Sequence, residues 1–437
     1  MQQADTIINA GWIIPVEPAG EALADHSLVM RDGVIVAVLP RQQAAERFQA
    51  AIVRDLPKHA LIPGLVNAHT HAAMTLLRGL ADDLPLMTWL NEHIWPAEQE
   101  HVGPEFVQHG VELAAAEMLL GGTTCFADMY FFPEVAARAA SHAGMRMAAG
   151  MIVIDFPSTY GEGPEDYINK GLALHDAYRN DPLVTTFFAP HAPYTVSEGN
   201  LAHLRTLADE LDLPVQIHLH ETAFEVQQSL EQTGERPLAR LDALGLLSPG
   251  LMAVHMTQLN HAEMDRLAES GASVVHCPES NLKLASGFCP VAELGRRGVN
   301  LALGTDGAAS NNDLDMFGEM RTAALLAKGV AGDAGALPAH EALYAATMGG
   351  ARALGLADII GSLTAGKSAD VVAVDLGGVA SAPVYHPISH LVYATDRQQV
   401  SDVWVGGRHL VNERRLTTLD EHAVTQHAAH WRDRISP

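Results

Sequence analysis

Short apolar segments alternate with longer amphipathic segments eight times between about residues 61 and 360. The apolar segments are rich in Val, Ile and Ala and predict strands at 61–68, 123–129, 146–154, 184–189, 214–220, 252–256, 273–276 and 300–304. The intervening segments show helical spacing, for example at 104–120, 134–142, 200–211 and 262–269. Eight such alternations predict an α/β fold, a (β/α)8 TIM-like barrel. An open doubly wound sheet is the alternative, but no GxGxxG motif follows a predicted strand.

The two ends of the chain differ from this middle region. Near the N-terminus, apolar runs flank an Asp-Gly turn at 32–33, which is a strong hairpin signal. Strand-like sequence returns at 369–375 and 402–407. We therefore predict three segments: 1–60 and 361–437 as the two halves of a small β-sandwich domain, the second with a terminal helix, and 61–360 as the catalytic barrel.

The charge balance limits the partners of the chain. It has 52 Asp and Glu against 27 Lys and Arg, a formal net charge of −25. Such an excess argues against binding to nucleic acid or to an anionic membrane surface.

The three cysteines form no CxxC pair, and the start of the chain does not resemble a signal peptide. We expect a cytoplasmic protein that acts on a small molecule.

Histidines end two of the predicted strands, where barrel enzymes have their active sites. The first strand ends in HTH at 69–71. Side chains at i and i+2 of a strand share one face, so His69 and His71 can bind one metal ion. With 23 histidines in 437 residues, about one HxH pair is expected by chance, so spacing alone is weak support. The fifth strand ends in a second pair, and periodicity does not choose between His218 and His220.

Three more polar residues lie at the ends of strands five, six and eight: Glu221, His255 and Asp306. Taken singly, each has a structural explanation: a charge near a helix N-terminus, a buried histidine, and a turn residue. Together with the histidine pairs they offer nitrogen and oxygen ligands without thiolates, which suits zinc, with iron or manganese as alternatives. This set predicts metal-assisted hydrolysis by an activated water.

Several motifs resemble those of a known superfamily. The segment PGLVNAHTH at 63–71 resembles the opening metal motif of the amidohydrolases. His218 with Glu221 three residues later, His255, and the Thr-Asp pair at 305–306 are similar to the deaminase branch of that superfamily. More narrowly, WPAE at 95–98, APHAPY at 189–194 and HCPESNLKL at 276–284 resemble the 5′-methylthioadenosine/S-adenosylhomocysteine deaminases. The segment GSLTAGKSAD at 361–370 resembles the return of these proteins into the terminal β-domain, so the likeness runs almost end to end.

The resemblance implies a metal site and an acid–base pair. One divalent metal ion per subunit would be bound by four side chains: His69, His71, His218 and Asp306. Glu221 would protonate the purine nitrogen N1 as the metal-activated hydroxide adds at C6, while His255 and Asp306 orient and deprotonate the water. Glu98 would accept hydrogen bonds from ribose hydroxyls, and His191 would contact the nucleoside, as would Glu221 and Asp306. Without the resemblance, Glu98 would be interpreted as a solvated charge and His191 as a structural residue.

The implied reaction is hydrolytic deamination of an adenine nucleoside at C6, in an enzyme acting on the C–N bond of a cyclic amidine. Relatives that accept S-adenosylhomocysteine are expected to have arginines near the exit of the third strand, but 147–166 contains no Arg or Lys. A carboxylate tail would have no cationic partner there. We therefore expect 5′-methylthioadenosine as substrate, with its methylthio group on apolar residues such as Met87, Trp89 or Phe156.

Other functions are compatible with parts of the pattern. Within the same class, the alternatives are an S-adenosylhomocysteine or adenosine deaminase and an s-triazine amino- or chlorohydrolase. A dihydroorotase-like hydrolase would use two metals bridged by a modified Lys on strand four, but 184–191 has no Lys. A metal-storage protein without turnover would not need an acid beside an open metal position. The resemblance also implies a homo-oligomer, a dimer or tetramer.

Overall fold

The computed structural model describes residues 1–436 of the chain. Strands from both ends of the chain form one sheet of eight strands. These strands are β1 (Gln2–Ile13), β2 (Leu23–Arg31), β3 (Val34–Pro40), β4 (Phe48–Pro63), β13 (Val371–Asp375), β14 (Val400–Val405), β15 (Arg408–Asn412) and β16 (Arg415–Leu416). Their order in the sheet is β16-β15-β14-β13-β4-β1-β2-β3. The sheet is curled, so that the turn between β2 and β3 lies against the segment before β13. The Ala369 N–H donates to the Gly33 carbonyl there at 2.9 Å.

The second sheet is parallel and contains the eight strands between these two groups. They are β5 (Leu65–Thr70), β6 (Thr123–Asp128), β7 (Arg146–Val153), β8 (Val184–Pro190), β9 (Val215–Leu219), β10 (Leu251–His255), β11 (Ser273–His276) and β12 (Asn300–Leu303). Each strand pairs with the next along the chain. A (β/α)8 barrel and a β-domain built from both termini are therefore confirmed, whereas the domain boundaries at 60/61 and 360/361 stay a prediction.

Helices cover the barrel and connect its strands. The α-helices are α1 (Arg41–Arg47), α2 (Leu86–Trp89), α3 (Trp95–His101), α4 (Pro104–Leu120), α5 (Pro133–Ala143), α6 (Pro164–Tyr178), α7 (Glu198–Leu211), α8 (Ala223–Thr233), α9 (Pro237–Ala243), α10 (His261–Ser270), α11 (Pro278–Lys283), α12 (Val291–Arg296), α13 (Met316–Ala331), α14 (Ala339–Tyr344), α15 (Gly350–Ala353), α16 (Pro387–Tyr393) and α17 (Glu421–Ile435). Among the described residues, no helix is long and apolar enough to cross a membrane.

The first barrel strand begins later than the sequence predicts. The predicted strand at 61–68 is divided at Gly64, because β4 pairs with β13 up to Pro63 and β5 begins only at Leu65. A side chain at Gly64 would lie 1.9 Å from the Thr124 hydroxyl oxygen. Glycine therefore lets the chain pass closely against β6 as it moves from one sheet to the other.

Hydrogen bonds between β5 and the segment after β12 close the barrel. The Asp306 N–H donates to the His69 carbonyl at 3.0 Å. The Asn67 side chain accepts from the Thr305 N–H at 3.0 Å and donates to the Thr305 hydroxyl at 2.8 Å. Closure therefore brings Asp306, from the end of the barrel sequence, next to His69 from its beginning.

The terminal helix α17 packs against α4 of the barrel. The Trp431 ring is buried and lies edge-on to Phe106, with 5.1 Å between the ring centroids. The Trp431 indole N–H donates to His109 Nδ1 at 3.1 Å. This contact holds α17 on the barrel.

Candidate active site

Four side chains meet at the carboxyl end of the barrel strands: His69, His71, His218 and Asp306. One nitrogen or oxygen atom from each lies within 4.8 Å of those of the others. His69 Nε2 and His218 Nε2 are 3.1 Å apart, and His71 Nε2 lies 3.1 Å from Asp306 Oδ1. The structure therefore brings together every residue that the sequence predicts as a metal ligand.

The other ring nitrogen of each histidine is held by a hydrogen-bond partner. His69 Nδ1 bonds to the Gln216 side-chain oxygen at 2.7 Å. His71 Nδ1 and His218 Nδ1 bond to the backbone carbonyls of Met129 and His191, at 2.6 and 2.7 Å. Because Nδ1 donates in each case, the Nε2 atoms are left facing one another, the arrangement in which three imidazoles can bind one cation.

The Asp306 carboxylate is fixed in the same way. Its Oδ2 accepts from the hydroxyls of Ser280 and Ser310 at 2.7 and 3.0 Å, while Oδ1 accepts from the Gly307 N–H at 2.8 Å. Three imidazole nitrogens and one buried carboxylate, each oriented by a second partner, are a donor set that fits a divalent metal ion.

An acid and a second histidine lie beside this cluster. Glu221 and His255 are both buried, and Glu221 Oε2 is 3.9 Å from His255 Nε2. Burial, reinforced by the Asp306 charge, raises the pKa of Glu221 to about 8. His255 Nδ1 bonds to the Asn281 side-chain oxygen at 2.9 Å, which aims its Nε2 into the site. A carboxyl protonated at neutral pH therefore adjoins the predicted water-binding position.

The second histidine of the fifth strand points away from the cluster. His220 lies just after β9, with a φ of 52°, in the left-handed region. Its Nε2 accepts from the Leu238 N–H at 3.0 Å, and the residue is fully buried. The turn after β9 therefore separates the two histidines, a distinction that strand periodicity could not make.

A cavity of about 660 Å³ opens from the cluster. All four predicted nucleoside contacts line it: Glu98, His191, Glu221 and Asp306. Glu98 lies on α3 and accepts from the Tyr130 hydroxyl at 2.6 Å. Burial raises the pKa of Glu98 to about 7, although the Tyr130 hydrogen bond acts in the opposite direction. His191 Nδ1 bonds to the Thr195 hydroxyl at 3.0 Å, and burial lowers its pKa to about 3, so the imidazole is neutral.

The outer wall of the cavity is mainly apolar. Its lining residues in the described chain include no Lys or Arg. Trp89 and Phe156, two of the three residues expected against the substrate tail, line it, but Met87 does not. A π-helical turn at Leu90–Ile94 follows α2, so the segment has no single helical face from which its lining residues could be predicted.

Sequence reasoning missed the residues that orient the predicted ligands and acid. Gln216 precedes His218 by two positions on the same face of β9, so strand periodicity could have indicated it. Ser280 and Asn281 lie within the HCPESNLKL segment, whose resemblance to the deaminases assigns no role to either residue. Tyr130 gave no signal, because its contact with Glu98 joins residues 32 positions apart.

A parallel barrel with three histidines and an aspartate at the carboxyl ends of its strands defines a metal-dependent barrel hydrolase. The model of the amidohydrolase family matches residues 60–410. The chain belongs to this family.

Similar proteins extend along the whole chain. A protein of Saccharophagus degradans named 5-methylthioadenosine/S-adenosylhomocysteine deaminase is 53% identical, covering 99% of this chain and 97% of the relative. The zinc-bound crystal structure of an adenosine deaminase from Xanthomonas campestris is 56% identical, with a TM-score of 0.99 over 99% of each chain. Atrazine chlorohydrolase from Arthrobacter aurescens, 23% identical with a TM-score of 0.91 over 98% of this chain and 99% of its own, shares the fold.

Proposed function

We propose that the protein deaminates adenine nucleosides at C6 by hydrolysis, converting 5′-methylthioadenosine into 5′-methylthioinosine and ammonia. The observation that carries this proposal is the position of Glu221, a carboxyl with a raised pKa beside His255 and the four-residue metal cluster. The relatives named as methylthioadenosine/S-adenosylhomocysteine and adenosine deaminases support the substrate class.

Four side chains would hold the metal ion in this proposal: His69, His71, His218 and Asp306. A divalent ion bound there supplies Lewis-acid chemistry that lowers the pKa of a water molecule towards neutrality. We propose zinc, in one ion per subunit, because imidazole and carboxylate ligands suit it and the Xanthomonas campestris structure contains it. Iron and manganese are the alternatives.

The proton transfers are assigned to Glu221, His255 and Asp306. As the oxygen of water bonds to C6, Glu221 gives its proton to N1, while His255 and Asp306 orient the water and take its proton. The C6–N bond then breaks, and the proton of the new hydroxyl passes to the amino group through the Glu221 carboxylate. Ammonia leaves, a carbonyl remains at C6, and the proton held by the base returns to Glu221.

Substrate positioning is assigned to the cavity next to this centre. Ionised Glu98 would accept hydrogen bonds from the two ribose hydroxyls, and neutral His191 would contact the nucleoside. The cation-free, apolar outer wall, which includes Trp89 and Phe156, favours an uncharged 5′ substituent. A carboxylate tail would be desolvated there without a cationic partner, which costs several kcal/mol.

Two further properties belong to the same proposal. A cytoplasmic location is inferred from the three cysteines, which are buried and unpaired, as is typical of a reducing compartment. A homo-oligomer, a dimer or tetramer, is proposed from the resemblance to the deaminases, with neither nucleic acid nor membrane as a partner.

Ammonia release by the zinc-loaded protein tests the proposal. We would compare methylthioadenosine, adenosine, S-adenosylhomocysteine, guanine, cytosine and an aminotriazine. The highest kcat/KM is expected for methylthioadenosine and the lowest among the adenine nucleosides for S-adenosylhomocysteine. Turnover of the aminotriazine alone would refute the nucleoside assignment.

The Glu221→Gln variant tests the acid role. It is expected to retain one metal ion per subunit, measured by elemental analysis, and to lose deamination by about 100-fold or more. Glu231→Gln, at an exposed position of α8, is the matched control. Deamination by the Glu221→Gln variant at the rate of the control would remove the proposed acid.

A further inference from the structure

A second buried glutamate lies next to the proposed acid and contacts only backbone there. Glu225 Oε1 accepts from the His220 N–H at 3.0 Å, and Glu225 Oε2 accepts from the Glu221 N–H at 2.7 Å. Its side chain is 5% exposed and does not line the cavity. The carboxylate therefore binds the backbone of the residue that carries the acid, without a place in the reaction described above.

The carbonyl groups of the same two residues are also held. The His220 carbonyl accepts from the Thr257 and Gln258 N–H groups at 3.0 and 3.2 Å. The Glu221 carbonyl accepts from the Thr257 hydroxyl at 2.6 Å. All four backbone polar groups of residues 220 and 221 therefore have a partner, two of them supplied by a single side chain.

This segment needs such support because His220 has a positive φ of 52°. A non-glycine residue in the left-handed region is less stable than in the right-handed or extended regions, so the conformation depends on the contacts around it. It is this turn that directs His220 out of the site and Glu221 into it. Loss of the Glu225 contacts would leave two N–H groups without acceptors and allow the turn to relax.

We propose that Glu225 is a positioning residue: its carboxylate binds the consecutive N–H groups of His220 and Glu221 and thereby fixes the acid towards the substrate. The inference rests on the acid role proposed above for Glu221. Thr222 supports the arrangement from the helix side, because its hydroxyl caps α8 by accepting from the Glu225 N–H at 3.2 Å.

The Glu225→Gln variant keeps the volume of the side chain but offers one accepting oxygen instead of two. We expect kcat for methylthioadenosine to fall by about 10- to 100-fold, since small displacements of a reacting group have effects of this size. KM is expected to change by less than about 3-fold, because no substrate contact is removed. Glu231→Gln, on the same helix but exposed, is the control and should retain the wild-type kcat.

The decisive measurement is a double-mutant cycle with Glu221→Gln. The substrate is 6-chloropurine riboside, which releases chloride and needs no proton on its leaving group, so that variants lacking the acid can retain measurable turnover. If Glu225 acts through Glu221, adding Glu225→Gln to Glu221→Gln lowers the rate by less than about 2-fold. An equal fold-loss in both backgrounds would show a general structural role and overturn the proposal.

A second variant covers the case in which Glu225→Gln does not fold. Thr257→Val is nearly isosteric and removes the hydroxyl donor to the Glu221 carbonyl. It should also lower kcat in the wild-type background and have no further effect on Glu221→Gln. Wild-type kcat in both Glu225→Gln and Thr257→Val would refute the positioning role. Deamination of methylthioadenosine by Glu221→Gln at the rate of the Glu231→Gln control would instead refute the acid role on which it rests.

Discussion

Replacement of Glu98 by alanine gives a sharp test of how the cavity binds a nucleoside. The Glu98 carboxylate has two oxygens, and the Tyr130 hydroxyl already donates to Oε1 at 2.6 Å. The remaining lone pairs can accept both ribose hydroxyls. A hydrogen bond to a charged group contributes about 1.5–3 kcal/mol, so two of them amount to about 3–6 kcal/mol. At about 1.4 kcal/mol per factor of ten, kcat/KM for adenosine should fall by about 10²- to 10⁴-fold.

The assay compares adenosine with 2′,3′-dideoxyadenosine, which lacks both hydroxyls. Wild-type protein should discriminate strongly between the two substrates, and Glu98→Ala should reduce that discrimination to less than about 10-fold by slowing adenosine alone. Glu100→Ala, an exposed position on the same helix, is the control and should leave both rates unchanged. If Glu98→Ala slows both substrates by the same factor, Glu98 supports the fold of α3 or the reaction itself, and the ribose assignment is wrong.

Three other outcomes follow from the same structure. With increasing pH, kcat/KM should rise at about pH 7 as Glu98 loses its proton and fall at about pH 8 as Glu221 loses its proton. The Glu98→Ala variant should lack the rising limb of this profile. Treatment with a chelator should abolish ammonia release and lower the midpoint of thermal unfolding, and one equivalent of Zn²⁺ per subunit should restore both, because a ligand of the folded state stabilises it. Trp431→Ala should lower that midpoint, at a cost of about 3–5 kcal/mol, while KM stays constant because Trp431 does not line the cavity.

The residues that could be predicted from the sequence are those placed by regular strands. His69, His71 and Asp306 follow strands whose apolar pattern is clear, and parallel strands of a barrel present their carboxyl ends on one side. Once the barrel closes, these three side chains therefore lie on the same side of it. In the structure His69 lies in β5, His71 directly follows it, and Asp306 lies in the segment after β12. The hydrogen bond from the Asp306 N–H to the His69 carbonyl joins the two segments.

The predictions that were incomplete concern positions where the backbone leaves regular geometry. The sequence predicts too early a start for β5, because nothing in the apolar run at 61–68 shows that Gly64 must pass against Thr124. The choice between His218 and His220 depends on a positive φ that is supported by contacts from Glu225 and Thr257. Such contacts join different strands and helices. The hydrophobic periodicity of a single strand therefore cannot predict them.

The contrast between regular strand ends and irregular segments also applies to function: the reacting groups lie at strand ends, and the residues expected to select the substrate lie in irregular segments. The metal ligands and the acid lie at strand ends, where hydrogen bonds fix them, as Gln216 fixes His69. The outer wall of the cavity comes instead from irregular segments, including the π-helical turn at Leu90–Ile94 and the segment around Phe156. Substitutions in these segments can change the shape and polarity of the wall without moving the strand ends. Selection of the 5′ substituent should therefore respond to wall variants mainly through KM, while variants of the strand ends and of the residues that fix them act mainly on kcat.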